Sequence, residues 1–172
     1  MSTGVEFAEW RGHDLRPRVL KLERAFRREP VTAADDIPII ANTPCYFAFG
    51  GSDKPVDYFT NPASMLAYQA DGFQRHLERV NDDLVPYFMP WFGTGVLPSA
   101  FGCQVRMPET MDDDPAVAGP FIKTPADAAH LKLPTPGCDG WMPRVLEAID
   151  YARAEGDLPI GLTDMQGPLD TL

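Results

Sequence analysis

The sequence has few of the features that mark secreted, membrane-spanning or scaffold proteins. Its 172 residues include three cysteines, Cys45, Cys103 and Cys138, an odd number spaced too widely for a disulfide framework. No segment has the basic and apolar regions of a secretory signal, and no apolar run reaches the ~20 residues that cross a bilayer. We therefore expect free thiols, a cytoplasmic location and no membrane partner.

Common catalytic and metal-binding motifs are missing as well. There is no GxSxG, HExxH, Walker-type loop or complete GxGxxG in the chain. The three histidines, His13, His76 and His130, have no cysteine at ligand spacing, and we interpret each as structural. His76 is expected to be exposed on its helix. No metal site is predicted from this chain alone.

Positive charge is scarce, because 25 acidic side chains outnumber 15 basic ones and give a net charge of −10. A phosphate backbone binds through Lys and Arg, so nucleic acid is excluded as a general partner. No like-charge run is long enough to form a tail. The longest, Asp112-Asp113-Asp114, is typical of a solvated loop.

What the sequence does contain is a chain of short elements, punctuated by 18 Pro and 14 Gly. Apolar residues at helical spacing, together with capping signals, predict five helices. The first has a basic outer face, and we interpret it as a surface helix docked on a core rather than as a nucleic-acid-binding element. The predicted helices cover residues 15–28, 62–80, 97–101, a brief segment after Thr124, and 141–154.

Three apolar runs predict buried strands, at residues 37–42, 84–91 and 158–163, and residues 102–123 are expected to form a loop with short strands. Buried strands that alternate with amphipathic helices indicate an α/β fold of parallel βα units. A closed eight-stranded barrel takes ~250 residues. We therefore predict a flexible leader at residues 1–14 and, over residues 15–172, the amino-terminal part of a larger barrel domain.

In such folds ligands bind at the carboxyl ends of the strands. The segments that follow two predicted strands are Trp91–Gly95 and Thr163–Gly167. The glycines at 93 and 95 suit either close approach of a ligand to the backbone or a tight turn. Asp164, which follows an apolar strand directly, suits either acid–base chemistry or capping of a helix that begins near Pro168, and Gln166 suits a hydrogen bond to a ligand.

Three blocks of the sequence resemble the amino-terminal half of the uroporphyrinogen decarboxylase superfamily. They are YFMPWFGTGVLPSAFGC (87–103), IKTPADAAHLKLPTP (122–136) and LPIGLTDMQGPLDTL (158–172), and they occur in the superfamily's order. The resemblance implies a (β/α)8 TIM barrel of which this chain is a partial, amino-terminal portion: the first helices plus the first βα units. It also implies a shortened chain or one half of a split protein.

Departures from the resemblance favour one branch of the superfamily. The arginine-rich segment that grips tetrapyrrole carboxylates is absent from residues 38–51, and Gly93 stands where decarboxylases have their central aspartate. The resemblance therefore favours a methyltransferase that moves a methyl group between a small methylated compound and a corrinoid or thiol. The alternatives are uroporphyrinogen decarboxylation in tetrapyrrole synthesis, and an inactive half-barrel or interaction module.

The methyltransferase interpretation assigns roles to particular residues. Asp164 is the candidate catalytic residue, with zinc ligands expected beyond residue 172 and a corrinoid as the cofactor of the complete protein. Partners would be a small-molecule substrate, a corrinoid protein, and a second copy or a second half-barrel chain. The candidate substrate-binding residues are Trp91, Phe92, Gly93, Thr94, Gly95 and Gln166.

Overall fold

The computed structural model describes residues 7–32, 37–41, 55–110 and 113–163. Helices dominate this part of the chain, and its four strands are each two residues long. The strands are β1 Glu9–Trp10, β2 His13–Asp14, β3 Val105–Arg106 and β4 Ala116–Val117. The helices are α1 Arg16–Phe26, α2 Pro55–Thr60, α3 Pro62–Arg79, α4 Val96–Ala100, α5 Pro125–Ala128 and α6 Met142–Glu155, and a 3-10 turn, Gly93–Gly95, precedes α4.

The first ordered element is a hairpin, in which β1 pairs antiparallel with β2. Trp10 is 3% exposed and belongs to the core. The expectation of a flexible leader is therefore wrong for residues 9–14, because burial of an indole ring holds them against the domain. The proposed division of the chain at residue 15 stays a prediction.

Helix α1 confirms the prediction for residues 15–28, but its apolar face is only partly buried. Leu15, the residue before the helix, is fully buried, whereas Phe26 at the other end is 87% exposed. The helix is attached largely through its basic side chains. Arg18 donates to the Leu84 carbonyl at 2.9 Å, and the Lys21 ammonium lies 2.8 Å from the Asp83 carboxylate.

Helix α3 begins and ends where its sequence signals predict. Asn61 caps it by accepting a hydrogen bond from the Ala63 N–H at 3.0 Å, and Pro62 occupies the first turn. The prediction for His76 was wrong, because this residue is 0% exposed. A second buried row, Met65, Gln69, Gly72 and His76, lies beside the predicted apolar one, so α3 is covered over a wider face than one stripe.

Residues 84–92 run as a buried extended segment, as the apolar run predicted. Every second residue is buried, from Leu84 through Phe88 to Phe92, which is the alternation of a strand with one face on a core. Phe88 pairs in parallel with Ile160: the Phe88 N–H donates to the Pro159 carbonyl and the Gly161 N–H to the Phe88 carbonyl, both at 2.7 Å. The pairing is short because proline supplies no N–H.

The other edge of this segment is closed by a side chain of α3. The Gln69 amide donates to the Met89 carbonyl at 2.7 Å and accepts from the Met89 N–H at 2.9 Å, as a neighbouring strand would. It also donates to the Tyr58 hydroxyl at 2.8 Å. A polar residue on the buried face of a helix thus satisfies backbone groups that would otherwise be unpaired in the core.

The prediction of a buried strand at residues 37–42 was wrong where the structure describes it. Residues 37–41 form no strand, and Ile37, Ile39 and Ile40 are 51%, 67% and 44% exposed. Their backbone bonds to carboxylates instead, since the Ile39 and Ala41 N–H groups donate to Asp83 and Asp82 at 2.9 and 2.8 Å. Asn42 lies outside the described residues.

The remaining elements complete one core. Helix α6 packs against α3 and α4 and buries Val145, Ala148 and Ala152. Strands β3 and β4 are the short strands expected within residues 102–123, and the structure pairs them antiparallel as a hairpin. The described residues thus mix helices with short strands and show two parallel neighbours, but no closed barrel. None of their helices is both long and apolar enough to cross a bilayer.

Candidate functional site

The two segments predicted to carry the site lie side by side. The Thr163 hydroxyl donates to the Pro90 carbonyl at 2.8 Å, where a ladder bond would continue the pairing of Phe88 with Ile160. Because the pairing is parallel, both segments end at the same edge of the sheet. We call the group formed by Trp91–Gly95, Asp113–Pro115 and Thr163 the strand-end edge.

Trp91 joins the extended segment 84–92 to the loop between β3 and β4. Its indole N–H donates to an Asp114 carboxylate oxygen at 2.7 Å, a short hydrogen bond to an ionisable acceptor. Trp91 is itself partly exposed. The prediction of a solvated loop for Asp112–Asp114 was wrong for Asp114, which is partly buried against this indole. Asp112 lies outside the described residues.

The environment of Asp114 raises the pKa of its carboxyl group. Burial raises the pKa of the Asp114 carboxyl above its ordinary value and the negative charge of Asp113 adds to the effect, while the hydrogen bond from Trp91 opposes both. Asp113 has a cation of its own, since the Arg106 guanidinium lies 3.2 Å from it on the protein surface. A carboxyl that is partly desolvated beside an aromatic ring is suited to proton transfer or to binding a cation.

The two glycines of the 3-10 turn are required by packing. Gly93 has φ +65°, and a side chain there would overlap the carbonyl oxygen of Pro115. A Cβ at Gly95 would lie 2.8 Å from the Val105 side chain. Glycine at both positions therefore allows the β3–β4 hairpin to pack closely against the 3-10 turn. This agrees with the interpretation of the two glycines as part of a tight turn. Direct contact of Gly93 or Gly95 with a ligand stays a prediction.

The other predicted residues of the turn point to different environments. Phe92 is 3% exposed and meets the Trp141 ring edge to face, with centroids 6.4 Å apart. Thr94 is exposed at the surface of the turn. Phe92 is thus a core residue that also lines a small cavity with Tyr58, Met65 and Arg144. Asp164 and Gln166 lie outside the described residues, so their roles stay predictions.

Asp114 is the residue that sequence reasoning missed. Nothing in the run Asp112–Asp114 distinguishes one carboxylate from the next, and the partner, Trp91, is 23 residues away in the chain. Thr163 was included only as the start of a loop, although its hydroxyl forms a bond between the two strands. Both contacts are set by strand pairing and by the Gly93–Pro115 packing rather than by local sequence.

Other reactive groups of the described residues lie apart. Cys103 and Cys138 are free thiols, as predicted, and Cys45 lies outside the described residues. Cys103 lines an open cleft with Gln104, Phe121 and Lys123 beside the hairpin. Over the described ranges no three His, Cys, Asp or Glu side chains are grouped as they would need to be to hold a metal ion.

Comparison with known proteins supports the resemblance of the sequence blocks. A family model described as uroporphyrinogen decarboxylase (URO-D) matches residues 21–170. The chain belongs to the uroporphyrinogen decarboxylase family. No curated protein and no solved structure is similar enough to the chain to match it.

Membership in the uroporphyrinogen decarboxylase family agrees with the location of the strand-end edge. The family implies a TIM-barrel fold, in which ligands bind at the carboxyl ends of parallel strands. The two parallel neighbours of this chain, Phe88 and Ile160, precede Trp91 and Thr163 by three residues each. Trp91 and Thr163 therefore follow parallel neighbours, as site residues do in such a barrel, and ligand binding at the strand-end edge stays a prediction.

Proposed function

We propose that the complete form of this member of the uroporphyrinogen decarboxylase family is a cytoplasmic methyltransferase, and that the 172-residue chain alone is inactive. It moves a methyl group between a small methylated compound and a corrinoid or a thiol. The observation that carries the proposal is the charge of the strand-end edge. Asp113 and Asp114 lie on it, and the only cation paired with them among the described residues is Arg106, on Asp113.

A porphyrinogen substrate carries several carboxylates, and an edge of this charge repels them. At 4 Å two like charges cost about 1 kcal/mol in water and about 4 kcal/mol near a protein surface. A small methylated compound that is neutral or positively charged suffers no such repulsion. The exposed Thr94 and the partly exposed Trp91 offer a hydroxyl and an aromatic ring for such a compound.

In this proposal the chain's own residues bind and orient. Trp91 forms a wall of the pocket and Asp114 holds its indole through the 2.7 Å hydrogen bond. Asp164 and Gln166, which follow Thr163 in the sequence, contact the substrate or the methyl carrier. A bound corrinoid would supply the methyl-carrying centre. Among the described residues no three His, Cys, Asp or Glu side chains are grouped to hold a zinc ion.

The experiment is a pair of assays on the purified complete protein, which includes the part of the barrel expected beyond residue 172. In the first, methylcobalamin and a small thiol are mixed with the protein, and loss of the methylcobalamin absorbance is followed against a protein-free control. In the second, carbon dioxide release from uroporphyrinogen is measured. Transfer of the methyl group with no carbon dioxide release is the expected result. Inactivity in the first assay with no binding of methylcobalamin contradicts the proposal.

A second candidate, uroporphyrinogen decarboxylation, is favoured by one finding, the description of the matching family. It requires that cations outside the described residues outweigh Asp113 and Asp114. Carbon dioxide release in the second assay would establish it. In either case Asp164→Asn separates roles: turnover that is unchanged while the melting temperature falls means that Asp164 is only a helix cap.

A further inference from the structure

The β3–β4 hairpin has different surroundings at its two ends. Its tip, which includes residues 113–115, belongs to the strand-end edge, whereas its base borders an open cleft of about 530 Å³. This volume lies within the range of ~300–1,000 Å³ that is typical of small-molecule sites. The cleft is lined from two segments, 102–104 and 118–123, and shares no residue with the strand-end edge. It is therefore a candidate ligand site of its own.

An aromatic ring forms one wall of the cleft. Phe121 is 45% exposed, yet one side of its ring is packed against the chain. Gly102 has φ +102°, and a Cβ there would lie 3.1 Å from the ring, so glycine lets the ring lie close to the backbone. At Gly119, which also lines the cleft, nothing lies within 4 Å of an added Cβ. The cleft thus combines a supported, flat apolar surface with open space.

The cleft carries positive charge in a protein whose net charge is −10. Lys123 is its charged residue, and no acidic side chain is among the described residues that line it. Within the described part of the chain the Lys123 ammonium forms no ion pair. Asp127, four residues further on, caps α5 by accepting the backbone N–H groups of Lys123 and Thr124 at 2.9 and 2.7 Å. An anion that enters the cleft therefore meets an ammonium group and no carboxylate of the lining.

The carbonyl groups beside the cleft are already used by the protein. The Pro98 carbonyl, near the end of α4, accepts the Cys103 N–H at 3.1 Å, and the Ser99 carbonyl accepts the Gly102 N–H at 3.0 Å. The Gln104 carbonyl accepts a backbone N–H of the hairpin at 2.8 Å. The side-chain amide of Gln104, an exposed residue, adds a neutral hydrogen-bond donor to the cleft.

We propose that this cleft binds a small organic monocarboxylate with a flat apolar body. The Lys123 ammonium pairs with the carboxylate, the Gln104 amide donates to it, and the apolar body packs on the Phe121 ring. One ammonium matches one negative charge, whereas a second charge on the ligand would be repelled by a protein of this net charge. The inference is independent of the proposed function, because the cleft and the strand-end edge have no residue in common.

A thiol of the cleft reports on binding. Cys103 lines the cleft, whereas Cys138 is exposed and lies outside it. The full chain is alkylated with iodoacetamide at constant ionic strength, and mass spectrometry of the digested protein gives the rate at each cysteine. Benzoate should slow the alkylation of Cys103 saturably and leave that of Cys138 unchanged, because a ligand in the cleft covers only the first thiol.

Molecules of nearly the same shape test the role of charge. Benzamide is the neutral analogue of benzoate, and benzamidinium is the positively charged one. From the protection of Cys103, both should bind about threefold or more weakly than benzoate, as expected for the loss of one exposed ion pair. Phenyl phosphate, with two negative charges, should bind no more tightly than benzoate.

Matched variants assign the binding to particular residues. Lys123→Gln removes the charge and should weaken benzoate binding about threefold or more. Lys132→Gln is the control at another exposed lysine, outside the cleft, and should change benzoate binding less than about 1.5-fold. Phe121→Leu keeps an apolar side chain but removes the flat ring, and should weaken binding about twofold or more. Circular dichroism shows that each variant is folded.

Four outcomes would overturn the inference. They are no saturable protection of Cys103 by benzoate, equal protection of Cys103 and Cys138, protection by benzamide or benzamidinium as strong as that by benzoate, and a folded Lys123→Gln variant that binds benzoate like the wild type. Tighter binding of phenyl phosphate than of benzoate would replace the carboxylate with a phosphate and so contradict the proposed ligand class.

Discussion

The two acidic turns of this chain look alike in sequence and differ in structure. In the first, Asp82 lies 3.0 Å from a ring nitrogen of His76 and 3.7 Å from the Arg18 guanidinium, and Asp83 lies 2.8 Å from the Lys21 ammonium. In the second, Asp113 has a surface arginine and Asp114 an indole N–H. The first turn uses its carboxylates to join α1, α3 and the start of a strand, whereas the second leaves one charge available.

The difference shows how partners decide the role of a carboxylate. The Asp82 side chain is 3% exposed and also accepts the backbone N–H groups of Ala41 and Leu84, at 2.8 and 3.2 Å. Because both of its carboxylate oxygens are engaged by groups of the protein, Asp82 has a structural role. Asp114 has a comparable hydrogen bond, from the Trp91 indole, but forms no ion pair with a cation among the described residues.

The largest expected effect comes from breaking the first turn. Asp82→Ala removes the acceptor of two backbone N–H groups and of His76 inside the protein, and should lower the free energy of unfolding by about 3–5 kcal/mol. Urea unfolding followed by circular dichroism measures the loss. The matched change at the second turn is Asp113→Ala, which breaks an exposed pair and should cost less than about 1 kcal/mol. Equal losses at the two positions would contradict the comparison.

An intermediate effect is expected from breaking the packing of the second turn, which is steric rather than ionic. Gly93→Ala places a Cβ on a backbone with φ +65° and against the Pro115 carbonyl. We expect a loss of about 2–4 kcal/mol in the free energy of unfolding. Gly12→Ala is the control: φ there is +83° but nothing lies within 4 Å of an added Cβ, so only the backbone strain of about 1–2 kcal/mol should appear.

A loss for Gly93→Ala no larger than that for Gly12→Ala would mean that Pro115 moves aside without cost. In that case the close approach of the two loops does not hold Asp114 beside Trp91. The indole resonance of Trp91 in the Gly93→Ala variant reports directly on this possibility, since a changed environment of the N–H shifts it.

The smallest effect concerns pH. Partial burial raises the pKa of Asp83, but hydrogen bonds from Lys21 and the Ile39 N–H, with the charges of Lys21 and Arg18, lower it below its ordinary value overall. A depressed native pKa adds stability above the unfolded value of about 4 and loses it as pH falls through the native pKa. We expect the free energy of unfolding of the wild type to exceed that of Asp83→Asn by under about 1 kcal/mol at pH 7.

This advantage over Asp83→Asn should decrease as the pH falls from the unfolded value of about 4 through the lowered native pKa of Asp83, below which both side chains are neutral. Unfolding of the two proteins in urea across this range measures it. The pKa of Asp114 is displaced in the opposite direction, so the same series on Asp114→Asn should show no advantage of the wild type that disappears on acidification. A parallel pH dependence at both positions would mean that the two turns are electrostatically alike.

Much of the fold could be predicted from the sequence because local signals determine helix ends. Asn61 with Pro62 set the start of α3, and apolar spacing located α1, α4 and α6 to within a few residues. The buried segment at 84–92 followed from its apolar run, although only Phe88 in it pairs with a neighbouring strand segment. The error at residues 37–41 has a physical cause: apolar content indicates a strand only if a neighbour pairs with it, and here carboxylates of Asp82 and Asp83 take its N–H groups.

The candidate site could be predicted only in part for the same reason. Strand ends identified Trp91–Gly95 and the segment after Thr163, since sheets place ligands there whatever the sequence. His76 was expected to be exposed because it lies outside the apolar stripe of α3. The stripe alone does not show that neighbouring elements cover a wider face of this helix. Asp114 was missed because its environment comes from Trp91, a residue distant in the chain.

The sequence by itself determined the helices, the paired apolar segments, the net charge of −10 and the family of the chain, because each depends on residue identity and on spacing along one segment. Tertiary structure alone decided which of several similar carboxylates is neutralised and which is not. That choice depends on contacts between residues far apart in sequence: Asp82 lies between the Arg18 guanidinium of α1 and the His76 ring of α3, and Asp114 lies beside one indole.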